Sequence, residues 1–115
     1  MSKINLRLTV VVSAVITAFI HLALAFLLDE QWMQVLFALN GIGFLTLTYL
    51  WVKPPAALRR WSVGLHYALI AFSALTIVGY FAVNGITKIF ADPLGLFTKL
   101  AEVVLIAALW RHGKP

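Results

Sequence analysis

The sequence predicts an all-α integral membrane protein, a bundle of four transmembrane helices with both termini on the same side. Three observations point there. Hydrophobic residues make up 63% of the 115-residue chain and charged residues only 11%, whereas soluble domains run nearer half apolar and a quarter charged. A fold this small cannot hide so much apolar surface from water, so the excess is expected to face lipid. The apolar residues also fall into four long runs, each near the length that a ~30 Å hydrocarbon core requires at 1.5 Å per residue. They do not alternate and are too long for barrel strands.

The first span is predicted over 6–28. A basic start (Lys3, Arg7) ahead of an apolar run, with Ala23-Leu24-Ala25 near its end, resembles a cleaved signal peptide. The run continues to Leu28, however, which is a spanning length and not a short signal core. Asp29-Glu30-Gln31 breaks it, and either acid suits the start of the following helix by charge. The second span, 32–52, stops at Lys53-Pro54-Pro55, because prolines cannot continue a helix. A short basic loop, 56–60, leads to the third span over 61–83. Asn84-Gly85 ends it, with the glycine expected in a left-handed helix end. Residues 86–91 are semi-polar and read as an interfacial turn. Asp92-Pro93 is a strong helix start, a carboxylate cap followed by proline in the first turn, and opens the fourth span, 93–110. The whole chain, 1–115, reads as a single transmembrane domain.

Charge sets the orientation. Under four crossings Lys3, Arg7, Lys53, Arg59, Arg60, Arg111 and Lys114 share one side, while Asp29, Glu30, Asp92 and Lys88 share the other. Seven basic residues against one is a positive-inside signal, so both termini are expected in the cytoplasm of a cell or inner membrane. Trp32 is expected at the outer boundary, and Trp51, Trp61 and Trp110 at the inner one, as an aromatic belt. The net charge of +5 therefore reads as topology and not as a nucleic-acid footprint. The chain has no cysteine, which excludes disulfides, thiolate metal sites and cysteine nucleophiles.

Ionisable residues inside a span are costly and are functional candidates for that reason. Here they are His21, His66, Lys99 and Glu102, with Asn40 as an uncharged companion. Counting at 1.5 Å per residue puts His21, Asn40 and Lys99 in one layer about 3–6 Å outward of the midplane, Glu102 near it, and His66 about 9 Å inward. Lys99 and Glu102, three apart, share a helix face and can pair. That pair has two readings: an anchor between helices, with Lys99 also able to snorkel outward, or a proton or cation carrier centred on Glu102 with Lys99 and His21 beside it. His21 and His66 are candidate tetrapyrrole ligands, for a haem or a chlorophyll-type pigment. Their depths differ by about 13 Å, which argues against one haem shared between them. Hydrogen bonding to neighbouring helices is the plainer role for both histidines.

Further polar positions form stripes: Thr9, Ser13, Thr17 and His21 on the first helix, and Ser62, His66, Ser73 and Tyr80 on the third. Such stripes describe either a pathway or ordinary interhelical hydrogen bonds. Small residues (Ala14 and Ala18, Gly41 and Gly43, Gly64 and Ala68, Ala71 and Ala74) are expected to support close packing. Gly41-Ile42-Gly43 lies mid-span and lacks the rest of a dinucleotide fingerprint. No nucleophile triad or metal-spaced histidine pair appears, so neither a catalytic residue nor a metal site is expected.

The length and four-helix layout are those of the small multidrug resistance transporters, but their membrane glutamate lies in the first helix, where this chain has His21 and no carboxylate. The segments around His21, Asn40-Gly41-Ile42-Gly43 and Lys99-Leu100-Ala101-Glu102 resemble those of the uncharacterised small four-helix proteins of prokaryotic membranes. That resemblance implies no activity and no site residues. The sequence is thus read as a non-enzymatic membrane protein, an accessory or structural subunit of a larger complex, with the lipid bilayer and other membrane subunits or a second copy as its partners. The alternatives are a small transporter or proton carrier, and a tetrapyrrole-binding protein.

Overall fold

A computed structural model describes residues 2–113; Lys114, counted above among the inner-side cations, lies outside them. Among the described residues the chain is all-α. Four helices, α1 (Lys3–Leu27), α2 (Gln31–Val52), α3 (Ser62–Asn84) and α4 (Pro93–His112), are joined by two 3-10 turns, Ala56–Trp61 and Thr87–Ala91. All four are long and apolar enough to cross a membrane. They run up and down in order. α1 packs most closely against α2 and α4, while α3 stands further off both its neighbours.

Local chemistry accounts for most helix ends. The Ser2 hydroxyl accepts from the Asn5 N–H at 3.2 Å and caps α1. The Asp92 carboxylate accepts from the Gly95 N–H at 3.0 Å, with Pro93 in the first turn of α4. Gly85 follows α3 with φ 79° and ψ 167°. Its positive φ is as expected, but its ψ lies beyond the left-handed helical well, in a region open essentially to glycine alone. Glu30 occupies the N-cap position of α2 without capping it. Its carboxylate takes the Trp32 indole N–H at 2.5 Å instead. The stretch expected as a loop after Pro55 is wound into the 3-10 turn Ala56–Trp61, since a proline pair stops an α-helix but is compatible with a tight turn behind it.

At the end of the bundle where α1 begins and α4 ends, two cations close helix C-termini. Arg7 donates to the Val52 carbonyl at 2.5 Å and stacks over the Trp51 ring, and Lys3 donates to the His112 carbonyl. Both serve orphan carbonyls at the negative end of a helix dipole. Trp51 therefore does not join the boundary belt. It is buried beneath Arg7, whereas Trp32, Trp61 and Trp110 are exposed.

The core runs along α1, where Val10, Ala14 and Ala18 face Phe44, Leu69, Leu105 and Leu109. Small residues work here as expected: a Cβ on Gly41 would meet Leu22 Cγ at 2.6 Å and the Ala18 carbonyl at 2.9 Å, so glycine permits the α1–α2 approach. On α3 the expectation fails. Gly64, Ala68 and Ala71 are exposed, because α3 turns only Leu69 and Ser73 fully into the bundle.

Candidate functional site

The polar centre of the bundle is built by α1 and α4. Thr17 and His21, four apart on α1, project from one face, and Lys99 and Glu102 meet them from α4. Glu102 is 0% exposed and Lys99 6%. Lys99 does not snorkel outward; its ammonium donates to Glu102 Oε1 at 2.5 Å. The other carboxylate oxygen accepts the Thr17 hydroxyl at 2.6 Å, a contact bridging 85 residues of sequence. Both oxygens of this buried carboxylate are thus satisfied, as burial demands. Hydrogen bonds to a charged group are worth about 1.5–3 kcal/mol, so the Thr17–Glu102 bond is a strong tie between the first and last helices.

His21 completes the cluster. Its Nδ1 lies 2.7 Å from the Thr17 carbonyl, which can only accept, so Nδ1 carries a proton and Nε2 is left as an acceptor in the neutral ring. Nε2 lies 4.0 Å from Glu102 Oε2, outside hydrogen-bond range.

Asn40 stands apart from these four. Its Nδ2 donates to Thr76 Oγ1 at 2.7 Å, and Thr76 passes its own proton to the Phe72 carbonyl at 2.9 Å. The predicted layer of His21, Asn40, Lys99 and Glu102 is therefore two units, one joining α1 to α4 and one joining α2 to α3. Both border a cleft of about 290 Å³ in the half of the bundle where α3 ends and α4 begins, with His21 and Lys99 at its foot and Asn40, Thr76 and Tyr80 on its walls.

His66 lies elsewhere, at the end of the bundle where α4 finishes. Its Nδ1 accepts the Trp51 indole N–H at 3.1 Å. His112 stands beside it, the ring centroids 6.1 Å apart, and the two line a second cavity of about 310 Å³ with Arg7 and Tyr67. The two candidate tetrapyrrole ligands, His21 and His66, thus border different cavities. Among the described residues no three metal-ligating side chains converge. Sequence reasoning missed His112 as a neighbour of His66, since no spacing rule relates positions 46 residues apart on different helices.

Tyr80 links the centre to the end of the bundle where α4 begins. Its hydroxyl donates to Asp92 Oδ2 at 2.7 Å, and its ring lies under the Lys99 ammonium at 5.3 Å. Burial pushes the Asp92 carboxyl up, but the Tyr80 hydroxyl, the Gly95 N–H and the Lys88 and Lys99 charges together outweigh it and hold its pKa below the usual value. A carboxyl with a depressed folded pKa contributes stability that is present above its unfolded pKa and lost as pH falls through the folded one. Acidification through the carboxylate range should therefore lower the melting temperature. In Asp92→Asn, which keeps a capping side chain but cannot titrate, that drop should shrink. An identical pH profile in the two proteins would remove Asp92 from the account.

The comparisons with known proteins come down to one match. No curated protein and no solved structure matches the chain. A family model described as a family of unknown function (DUF7475) matches residues 2–111. That match spans nearly the whole chain, and the protein belongs to this family.

Proposed function

We propose that the chain is an integral membrane protein with four spans and both termini cytoplasmic, acting without an enzymatic activity of its own as an accessory subunit of a larger membrane complex. The observation that carries this reading is α3. Only Leu69 and Ser73 of this helix are buried, and its outward side bears Gly64, Ala68, Ala71 and Ala82, all exposed. Small residues on a membrane helix are where a second helix can approach closely. The polar centre fits a structural part in such an assembly, because its carboxylate is fully satisfied within the chain.

Mild detergent extraction from native membrane should bring the protein down with the same partner chain, or a second copy, each time. Ala68→Leu combined with Gly64→Leu should release that partner without unfolding the bundle, as both positions are open. A monodisperse monomer with no companion would count against the assembly. The absence of cysteine makes the orientation equally testable. A cysteine placed at exposed Ile86 should react with an impermeant maleimide from outside, and one at Lys53 only after the membrane is opened; the reverse pattern would invert the topology.

One observation favours a second reading, a proton or cation carrier using Glu102, Lys99 and His21. His21 Nε2 and Glu102 Oε2 are two acceptors facing each other across 4.0 Å, a gap that one proton changes. Inward of them the wholly buried Phe44, Leu69 and Leu105 fill the bundle, which favours the structural part. Under the carrier reading, Glu102→Gln abolishes pH-dependent flux in proteoliposomes; under the structural one there is no such flux to lose.

A further inference from the structure

The cleft between α2 and α3 is an opening that packing within the chain leaves unfilled. Its walls are mainly apolar, with Leu36 and Phe37 from α2 and Leu75 and Val83 from α3, and its foot is polar. Of its lining, Leu36 and Leu75 are exposed on the outer surface of the bundle, so the cleft faces sideways. Under the membrane reading that direction is the lipid. At about 290 Å³ it lies at the small end of ligand sites, which suits a head group and the first carbons of a tail that continues into the bilayer.

The hydrogen-bonding state of the foot restricts what the head group can be. Asn40 Oδ1 is buried and has no hydrogen-bond partner among the described residues. Turning the amide over would relieve this only if the Thr76 hydroxyl gave up its bond to the Phe72 carbonyl. His21 Nε2 is likewise an acceptor with no hydrogen within bonding range, Nδ1 holding the ring proton against the Thr17 carbonyl. Lys99 has three N–H groups and gives one to Glu102. The foot therefore sets an unfilled acceptor, His21 Nε2, beside a donor, Lys99, and Asn40 Oδ1 joins them as a second acceptor when its side chain turns toward the cleft. A hydroxyl suits both, donating its hydrogen to Asn40 or His21 and accepting from Lys99. A phosphate offers acceptors to acceptors, and its charge meets a lysine already neutralised by Glu102. An ammonium head would lie against Lys99.

We propose that this cleft binds an uncharged amphiphile through a hydroxyl head group, with Asn40, His21 and Lys99 at the hydroxyl and the apolar walls of α2 and α3 along its first carbons. The proposal rests on the membrane reading above and is independent of the accessory-subunit one. Two kinds of molecule carry this chemistry, an aromatic diol of the hydroquinone type on an alkyl tail and an aliphatic long-chain alcohol.

Gly79 provides the decisive variant. It lines the cleft, and a Cβ built there would have no atom within 4 Å. Gly79→Leu therefore starts a bulky side chain at an unobstructed Cβ on the cleft wall and replaces a poor helix former with a good one. The full chain in nanodiscs is titrated with dodecanol, with a decyl hydroquinone, and with the ether of each in which every hydroxyl is O-methylated, binding being read by native mass spectrometry and by the shift in melting temperature. At least one hydroxyl compound should bind and raise the melting temperature, and the tighter of the two identifies the source. Its ether, which keeps the bulk and loses the hydrogen, should bind at least tenfold more weakly. Asn40→Leu should weaken the alcohol at least tenfold, and Gly79→Leu should abolish its binding while melting no lower than the wild type. Equal binding of alcohol and ether, undiminished binding to Gly79→Leu, or no binding of either alcohol overturns the proposal. Resistance of the same protein to alkaline carbonate extraction from membranes is scored separately, so that failure of the ligand site is not confused with failure of the membrane assignment.

Discussion

Lys99→Met is expected to destabilise the bundle by about 3–5 kcal/mol, the range for removing one partner of a buried ion pair and leaving the other charge uncompensated. Glu102 has no route to water, being 0% exposed, and the Thr17 hydroxyl at 2.6 Å is its one other hydrogen-bond donor among the described residues. Methionine keeps the length and apolar stem of lysine, so the loss reports charge and hydrogen bonding and not volume. The double variant Lys99→Met/Glu102→Leu should recover most of the loss, since replacing both members of a buried pair by apolar groups is often neutral. The measurement is the free energy of SDS-driven unfolding in mixed micelles for the two single variants and the double variant. Additive losses with no recovery in the double variant would show that the two side chains do not act as a pair.

Phe44→Ala should be the second most damaging change, at about 3 kcal/mol. Phe44 is wholly buried. It meets Phe72 edge to face at a centroid distance of 4.8 Å and lies 6.2 Å from the His21 ring. In a water-soluble core such a truncation costs about 3–5 kcal/mol, part of it transfer of the ring to water. Under the proposed membrane assignment the unfolded reference stays in hydrocarbon, so that part is absent. What remains is the cavity, at about 24 cal/mol per Å³ over roughly 100 Å³ of lost ring, and the aromatic pair, worth about 0.5–1.5 kcal/mol. Phe44→Leu, which refills most of the space, should lose less than half as much. A loss below 1 kcal/mol for Phe44→Ala, in the same micelle assay, would mean that α3 closes over the gap.

The four helices were legible because their causes are local. Apolar run length, the Lys53-Pro54-Pro55 stop and the Asp92-Pro93 start all act within a few residues, and the helices begin and end within three residues of the expected spans. Lys99 and Glu102 were legible as a pair for the same reason, since an i, i+3 spacing fixes them on one face. The failures concern what lies across a helix interface. Nothing near Asn40 in sequence says that its amide meets Thr76 and not Lys99, and nothing near Gly64 or Ala68 says which way α3 is rotated. Trp51 shows the competition plainly: a boundary position predicts a belt residue, but the guanidinium of Arg7 and the imidazole of His66 offered its ring and its N–H better partners. Helix rotation is decided by the sum of such contacts, and a single sequence holds no record of that sum.

Under the membrane assignment proposed above, the spacing of Lys99 and Glu102 also bears on how the chain enters a bilayer. Because the pair lies within one helix, it can close as soon as α4 forms a single turn, before α1 is alongside. A charged side chain at the centre of an inserting helix costs about 2.5–3.5 kcal/mol on translocon scales, and two independent charges would add. An internal pair presents the insertion machinery with a dipole in place of two ions. α4 can then be accepted on its own hydrophobicity, and Thr17, waiting in α1, completes its carboxylate afterwards.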